Sequence, residues 1–329
     1  MGSVGGREVE LVRRAGLPLV TVHGGGLHGV GWRRLPGNVV RLLRGFAQAW
    51  RIIGRFRPAA LFVTGGYVSV PVALAARLRR VPILVYLPDI EPGLAIRVLS
   101  RLATRVAVTA EASRRYLPAE KVVVTGYPVR PCFATITRKV ARAHFGIGPE
   151  ERVLLVFGGS HGARSINRAL ATILPSLLAL ARVIHISGRL DAAEARARRA
   201  ALSPDQQARY HLFDYLHDEE MGMALAAADL AVARAGASTL GELPFFGLPA
   251  ILVPYPYAWR YQRVNADYLV EQGAALRLDD GEMGERLWPL LREVLTDGGR
   301  LTAMRERARA LARPEAASRL AKELVRLAA

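Results

Sequence analysis

What this chain lacks narrows its class first. It has a single cysteine, Cys132, so no intramolecular disulfide can form, and that usage fits a reducing compartment. No uninterrupted apolar run reaches the ~18 residues that a membrane-spanning helix requires. The nearest approach, residues 61–76, is broken by Gly65, Gly66, Ser69 and Pro71. No apolar signal-peptide core opens the N-terminus. Low-complexity tracts and short repeats are absent, which excludes fibrous and solenoid classes. Acidic residues are missing from one long stretch, with no Asp or Glu between Glu10 and Asp89.

What is present is an apolar-rich chain of 329 residues, 51% of them hydrophobic. That is too long for one ordinary core, so two domains of about 130–190 residues are expected. The net charge of +18 is unevenly placed. Residues 1–131 hold 20 Lys/Arg against 6 Asp/Glu, a net of +14, while residues 132–329 hold 26 against 22, a net of +4. Nearly all the basic residues are arginine, as a GC-rich genome would give, but genome bias would not spare one half. The first half is therefore read as meeting something anionic, a membrane surface or nucleic acid. Within it, Asn38–Arg57 sets Val39, Leu42, Leu43, Phe46, Trp50, Ile53 and Phe56 near one face of a helix. Arg41, Arg44, Arg51 and Arg55 fall on or beside the other face. This pattern suits a basic amphipathic helix in a bilayer interface, and equally a packing helix with a solvated basic face. No aromatic–basic interleaving or nucleic-acid motif accompanies the charge, so nucleic acid is not expected as a partner.

Strands and helices alternate along the chain. Ala59–Thr64, Ile83–Tyr86, Arg105–Thr109 and Val122–Val124 read as short buried strands, with helices at Asn38–Phe56, Val70–Arg79 and Leu94–Ala103 between them. Pro128–Lys139 breaks the pattern and reads as an interdomain linker. A second series follows, with strands at Val153–Phe157, Val183–Ser187, Leu230–Ala233 and Ala250–Val253. The tail, Leu301–Ala329, is helical with a break at Pro314. The fold class is α/β, with two doubly wound parallel-sheet domains divided at 131/132.

The strongest motif is VLLVFGGSHGARSIN, Val153–Asn167. Gly158, Gly159 and Gly162 let the backbone bend tightly and approach a ligand, and Ser160 offers a hydroxyl. The helix that follows aims unpaired N–H groups and its positive dipole end at the same spot, which suits a phosphate or diphosphate. The layout recurs in LAVARAGASTLGEL, Leu230–Leu243. There Gly236 gives the bend and Ser238 or Thr239 can cap the helix and offer a hydroxyl. Glu242 falls about one turn into that helix, where a carboxylate can accept both hydroxyls of a ribose. The same spacing also fits a plain capping box. Gln262 and Asn265 share a helix face, and paired amides suit sugar hydroxyls. GGGLHG, Gly24–Gly29, matches a dinucleotide fingerprint in letters only. It has no acid about 20 residues on for the ribose and no clean helix after it, so a flexible loop is expected.

Together GGSHGARSIN, RAGASTLGEL, the spaced Gln262 and Asn265, FVTGGYVSVPVALAA (62–76) and VVVTGYPVR (122–130) resemble the MurG family of glycosyltransferases, from about Gly5 to the end of the chain. The resemblance implies a GT-B architecture, two Rossmann-like domains with a cleft between them. The N-terminal domain would face the membrane and a lipid acceptor, and the last helix, 315–329, would cross back to it. It implies an inverting transfer of N-acetylglucosamine from UDP-N-acetylglucosamine to undecaprenyl-linked muramyl-pentapeptide, at the cytoplasmic face of the bacterial membrane. Carried over by motif, Gly158, Gly159, Ser160 and Gly162 would hold the diphosphate, with Arg130 adding positive charge. Leu216 would offer backbone groups to uracil. Ser238, Thr239 and Glu242 would serve the nucleotide, and Gln262 with Asn265 the sugar. No cofactor is implied, and there is no D-x-D metal motif.

Three departures concern the acceptor side. The family's opening strand, G-G-T-G-G-H loop and helix are not in this sequence, and the family's general-base histidine lies in that loop. The N-terminal domain is thus expected to be incomplete, through a start site placed too far downstream or through divergence. The family's H-E-Q-N is here Tyr86-Leu87-Pro88-Asp89, and the Asn of T-G-N-P-V-R is Tyr127. Asp89 becomes the candidate base, with Glu91 behind it. Both acids could instead only favour the start of the following helix. His23 and His28 are weaker candidates. The rival functions are a GT-B transferase with another lipid-linked acceptor and an inactive UDP-sugar-binding relative.

Overall fold

The computed structural model describes residues 1–5, 8–24, 35–159, 163–257 and 260–329. Ser160, Gly162, His28 and all of the GGGLHG stretch beyond Gly24 lie outside the described residues. The chain divides into two compact units, Met1–Thr125 with Ala317–Ala329, and Gly126–Ala316. Both are α/β, and every strand pairing among the described residues is parallel.

The first unit contains β1 (Gly2–Ser3), α1 (Glu8–Arg14), β2 (Thr21–Val22), α2 (Leu35–Phe56), β3 (Leu61–Val63), α3 (Ser69–Leu78), β4 (Ile83–Leu87), α4 (Leu94–Leu102), β5 (Arg105–Val108) and β6 (Val122–Val124). β3 to β6 form a four-stranded sheet in sequence order, and β1 pairs with β2. β4 is buried at every residue, as expected for a strand covered on both faces. On one face Val85 and Val106 pack with Ala49 and Ile53 of α2 and with the small residues Val72, Ala73 and Ala76 of α3. On the other, Leu84, Tyr86 and Ala107 meet Leu320, Leu324 and Leu327 of the C-terminal helix.

The second unit runs α5 (Arg138–His144), β7 (Val153–Phe157), α6 (Arg164–Leu180), β8 (Arg182–Ile186), α7 (Ala192–Ala200), α8 (Pro204–Ala208), β9 (Tyr210–Phe213), α9 (Asp218–Ala227), β10 (Leu230–Ala233), α10 (Thr239–Phe246), β11 (Ala250–Leu252), α11 (Tyr261–Glu271), β12 (Ala275–Arg277), α12 (Met283–Thr296) and α13 (Gly298–Ala310). The C-terminal helix is α14 (Ala316–Ala328). The sheet order is β12-β11-β10-β7-β8-β9. Counted from β7 this is the doubly wound order 3-2-1-4-5-6, with its reversal between β7 and β10. Ile166, Leu170, Leu174 and Leu177 recur at helical spacing along α6 and bury that face in the core. At the amino edge of the sheet Arg138, Arg142 and Arg305 converge on the buried Asp229, whose Oδ2 also accepts from Val153 N at 2.9 Å. Removing one partner of such a buried cluster costs about 3–5 kcal/mol.

The expected linker, Pro128–Lys139, is folded into the second unit. Phe133 is 1% exposed and packs against Phe245 and Phe246 of α10. Pro131 opens a 3₁₀ turn at Pro131–Thr135, so the stretch is not a free tether. β9 and β12 were not anticipated. Both are edge strands with half-exposed residues, so neither gives a contiguous apolar run.

Candidate functional site

β7 and β10 lie side by side and stay in register to their last residues, Phe157 opposite Ala233. Each then enters a glycine turn that leads to a helix. Ligands of this fold type sit beyond the carboxyl ends of the strands where the order reverses. An open cavity of about 1070 Å³ occupies that place. Gly158, Gly159, Ala163, Arg164 and Ser165 line it from the β7–α6 turn, and Gly236, Ser238 and Thr239 line it from the β10–α10 turn. Arg234, Tyr255, Tyr257, Gln262 and Asp280 add further wall. Gly159 has φ of +90°, a conformation that side-chain-bearing residues rarely adopt, so this turn requires glycine. Neither α6 nor α10 has a side-chain cap at its N-terminus. Both turn a positive dipole end toward the cavity, although the first N–H groups of α10, from Thr239 to Glu242, already donate to the carbonyls of Gly236, Ala237 and Ser238.

Five of the expected residues, Gly158, Gly159, Ser238, Thr239 and Gln262, thus meet on one cavity. The capping box read as an alternative for Glu242 does not form. Thr239 Oγ1 donates back to Gly236 O at 2.6 Å, and the Ser238 hydroxyl bonds the Glu242 carboxylate. Glu242 is 8% exposed, and burial pushes its carboxyl above the ordinary range, with Arg130 and Ser238 opposing. Arg130 lies beside it, Nη1 to Glu242 Oε1 at 3.7 Å and Nε to Asp218 Oδ1 at 3.3 Å. Arg130 Nη1 is buried without a hydrogen-bond partner among the described residues.

Gln262 Oε1 accepts from Tyr255 N at 2.9 Å, so its amide nitrogen is the part left for a ligand. Asn265 departs from expectation. It is fully buried and its Nδ2 donates to Ala235 O at 3.1 Å, so it braces the β10–α10 turn from beneath. Leu216, in the loop after β9, is 7% exposed. Sequence reading missed Arg234. Its guanidinium is bound by Asp280 Oδ1 at 2.5 Å and Ser165 Oγ at 2.7 Å, and sits 5.2 Å from the Tyr255 ring centroid. The sequence signal was its place inside RAGAST, immediately after β10. Its partners, far along the chain, gave none.

In the first unit, Asp89 is half-buried just past β4. The turn before it is braced by Thr109 Oγ1, which donates to Pro88 O at 2.8 Å, so that Tyr86 OH donates to Thr109 Oγ1 at 3.2 Å. Glu91 is 5% exposed and accepts from Arg97 Nη2 at 3.0 Å. His23 hydrogen-bonds Gln48 Oε1 of α2 through its backbone N and its Nδ1. Tyr127 lies against the bare Cα of Gly241 in α10, where a Cβ would come within 2.6 Å of its ring. On α2, Phe46, Ala49 and Ile53 turn inward while Val40, Leu43, Trp50 and Phe56 remain exposed. No helix among the described residues is long and apolar enough to cross a membrane.

Comparison with known proteins matches residues 153–320 to the glycosyltransferase family 28 C-terminal domain and residues 1–108 to its N-terminal domain. A Roseiflexus sp. (strain RS-1) protein is 45% identical over 98% of this chain and 81% of its own length. Its name is UDP-N-acetylglucosamine--N-acetylmuramyl-(pentapeptide) pyrophosphoryl-undecaprenol N-acetylglucosamine transferase. A Moorella thermoacetica protein of the same name is 41% identical over 96% of this chain and 86% of its own. Among solved structures, MurG of Acinetobacter baumannii superposes with a TM-score of 0.77 at 26% identity, covering 99% of this chain and 89% of that one.

Proposed function

The chain belongs to glycosyltransferase family 28, and we propose that it moves N-acetylglucosamine from UDP-N-acetylglucosamine to undecaprenyl-diphosphate-linked muramyl-pentapeptide, the lipid I to lipid II step of peptidoglycan synthesis. Its fold is that of the GT-B glycosyltransferases. The observation that carries the reading is the pairing of two glycine turns across the strand reversal, with a buried carboxylate one turn into the second helix.

Gly158 and Gly159, with Ser160 and Gly162, receive the diphosphate at the α6 terminus, and Ser238 and Thr239 bring the α10 terminus to it. Glu242 accepts the ribose hydroxyls. Backbone groups at Leu216 meet uracil, and the Gln262 amide meets the sugar while Asn265 holds the turn. The acceptor hydroxyl attacks the anomeric carbon, its proton passes to a base, the glycosidic bond to phosphate breaks, and UDP leaves with inversion. Helix termini and Arg130 stabilise the charge that develops on UDP. Asp89 is the base in this account. Glu91 is buried and engaged by Arg97 at 3.0 Å, so it is placed behind Asp89 as a bracing residue.

The first unit with α14 takes the acceptor. Its exposed apolar residues on α2, flanked by Arg41, Arg44, Arg51 and Arg55, rest on the anionic cytoplasmic face of the membrane as a peripheral contact. The test is UDP release with two acceptors, the lipid-linked muramyl-pentapeptide and a diacylglycerol. Turnover with the first alone is expected; turnover with the glycerolipid alone refutes the acceptor assignment. Asp89→Asn should keep donor affinity and lower kcat at least 100-fold, about the usual contribution of a positioned base.

A further inference from the structure

Behind α6 the polar side chains form a continuous hydrogen-bonded chain that the donor reading leaves unused. It begins at His185 on β8, 2% exposed, and ends at Arg164, the first residue of α6. His185 Nδ1 is 2.7 Å from the Tyr210 hydroxyl and Nε2 is 3.0 Å from Asn167 Oδ1. Asn167 Nδ2 lies 2.8 Å from both Ser187 O and Asp191 Oδ2. Asp191, itself 7% exposed, accepts from Arg164 Nε through Oδ1 at 2.9 Å.

One set of proton positions satisfies every link. Asn167 must turn its NH₂ toward the two oxygens, which can only accept, so its carbonyl faces His185. The imidazole therefore donates from Nε2 and accepts the Tyr210 proton at Nδ1. It is neutral, and burial lowers its pKa to about 4. The Asp191 carboxylate is held on both oxygens and forms a rigid seat.

The guanidinium makes one contact with that carboxylate, from Nε to Oδ1. Arg164 Nη1 and Nη2 bond no described residue, and the side chain is 59% exposed. Arg164 lines the cavity beside Gly158, Gly159 and Ala163. An arginine fixed at Nε with a free pair of Nη groups is built for two-point contact with phosphate oxygens.

We propose that Arg164 is a contact for the donor diphosphate, and that Asp191, Asn167 and His185 are positioning residues that hold it at the glycine turn. The inference rests on the donor-site reading above and adds a residue to it. Pre-seating the side chain removes the ordering cost that a free surface arginine would meet on binding.

The test compares UDP with uridine, which lacks the diphosphate, as competitors of UDP-N-acetylglucosamine binding to the full chain. Arg164→Gln should weaken UDP about 10- to 100-fold, the range for losing charged hydrogen bonds, and leave uridine within about twofold. Asp191→Asn should weaken UDP about 3- to 10-fold, again sparing uridine. The double variant should bind UDP no worse than Arg164→Gln, since both act through one contact. A purely structural role would lower UDP and uridine together and make the two changes additive; that result overturns the inference. So does wild-type UDP affinity in Arg164→Gln, which leaves the donor reading intact. Failure of the wild-type chain to bind UDP at all refutes the donor reading itself. Arg164 is exposed, so the Gln variant should fold, and circular dichroism checks this.

Discussion

Replacing Glu242 by glutamine separates a ligand-binding carboxylate from a structural one. The side chain is 8% exposed and its nearest cation, Arg130, is 3.7 Å away and shared with Asp218. Burial raises the carboxyl above its ordinary range, so at neutral pH the ionised group is held at a cost to the empty protein. A raised pKa means stability is fully present below the unfolded value and is lost as pH rises through the folded one. Glu242→Gln removes that cost and keeps the shape, so the empty variant should melt no lower than wild type at pH 7. UDP-N-acetylglucosamine binding should instead suffer. Losing hydrogen bonds to a charged group costs about 1.5–3 kcal/mol, which is roughly 10- to 150-fold in Kd. Calorimetric titration gives the affinity and a thermal scan the stability. In wild type, donor affinity should fall as pH drops toward 4.5, starting higher than for an ordinary glutamate. Unchanged donor affinity in Glu242→Gln removes this residue from the ribose site. A large loss of melting temperature with unchanged affinity would make it structural.

Three further outcomes follow from the packing. His185 is neutral in the fold, with its pKa lowered to about 4 from 6.5, so the unfolded chain binds more protons between those values. Stability should fall by about 3 kcal/mol as pH drops from 6.5 to 4, and His185→Gln should flatten that limb in urea titrations. Gly241→Ala would press a methyl onto Tyr127 and should cost about 1–3 kcal/mol, or about 2–4 °C of melting temperature per kcal/mol. In a Tyr127→Ala background the same change should cost less; equal cost in both backgrounds would refute the contact. Leu43→Glu with Phe56→Glu changes two exposed residues of α2 and should weaken sedimentation with anionic vesicles at least tenfold, without changing UDP affinity. Undiminished vesicle binding would rule out α2 as the membrane contact.

How much could be read in the sequence depended on how local each feature is. β7 and β10 are unbroken apolar runs followed by glycine, at once after β7 and three residues on after β10, so they and the turns after them were legible, as was the α/β class. β9 and β12, at the sheet edges, carry mixed residues and left no such run. Gly159 was legible because a tight turn at a strand end demands φ above zero. The burial of Asn265 was not legible, because an amide at helical spacing from Gln262 gives no sign that its Nδ2 reaches the Ala235 carbonyl. Arg234 and Arg164 were invisible as site residues for the same reason. Their meaning comes from Asp280 and Asp191, carboxylates brought near only by folding. The Pro-rich stretch at 128–139 looked like a tether since proline marks breaks in pattern, whereas the burial of Phe133 depends on aromatic partners in α10.

The most direct measurement is a crystal structure of this chain with UDP-N-acetylglucosamine. The diphosphate should lie over Gly158 and Gly159 at the start of α6, the ribose hydroxyls on Glu242, and the sugar within reach of the Gln262 amide. A nucleotide bound away from the β7–β10 reversal, or one whose ribose makes no contact with Glu242 while its phosphates avoid both glycine turns, would contradict this placement.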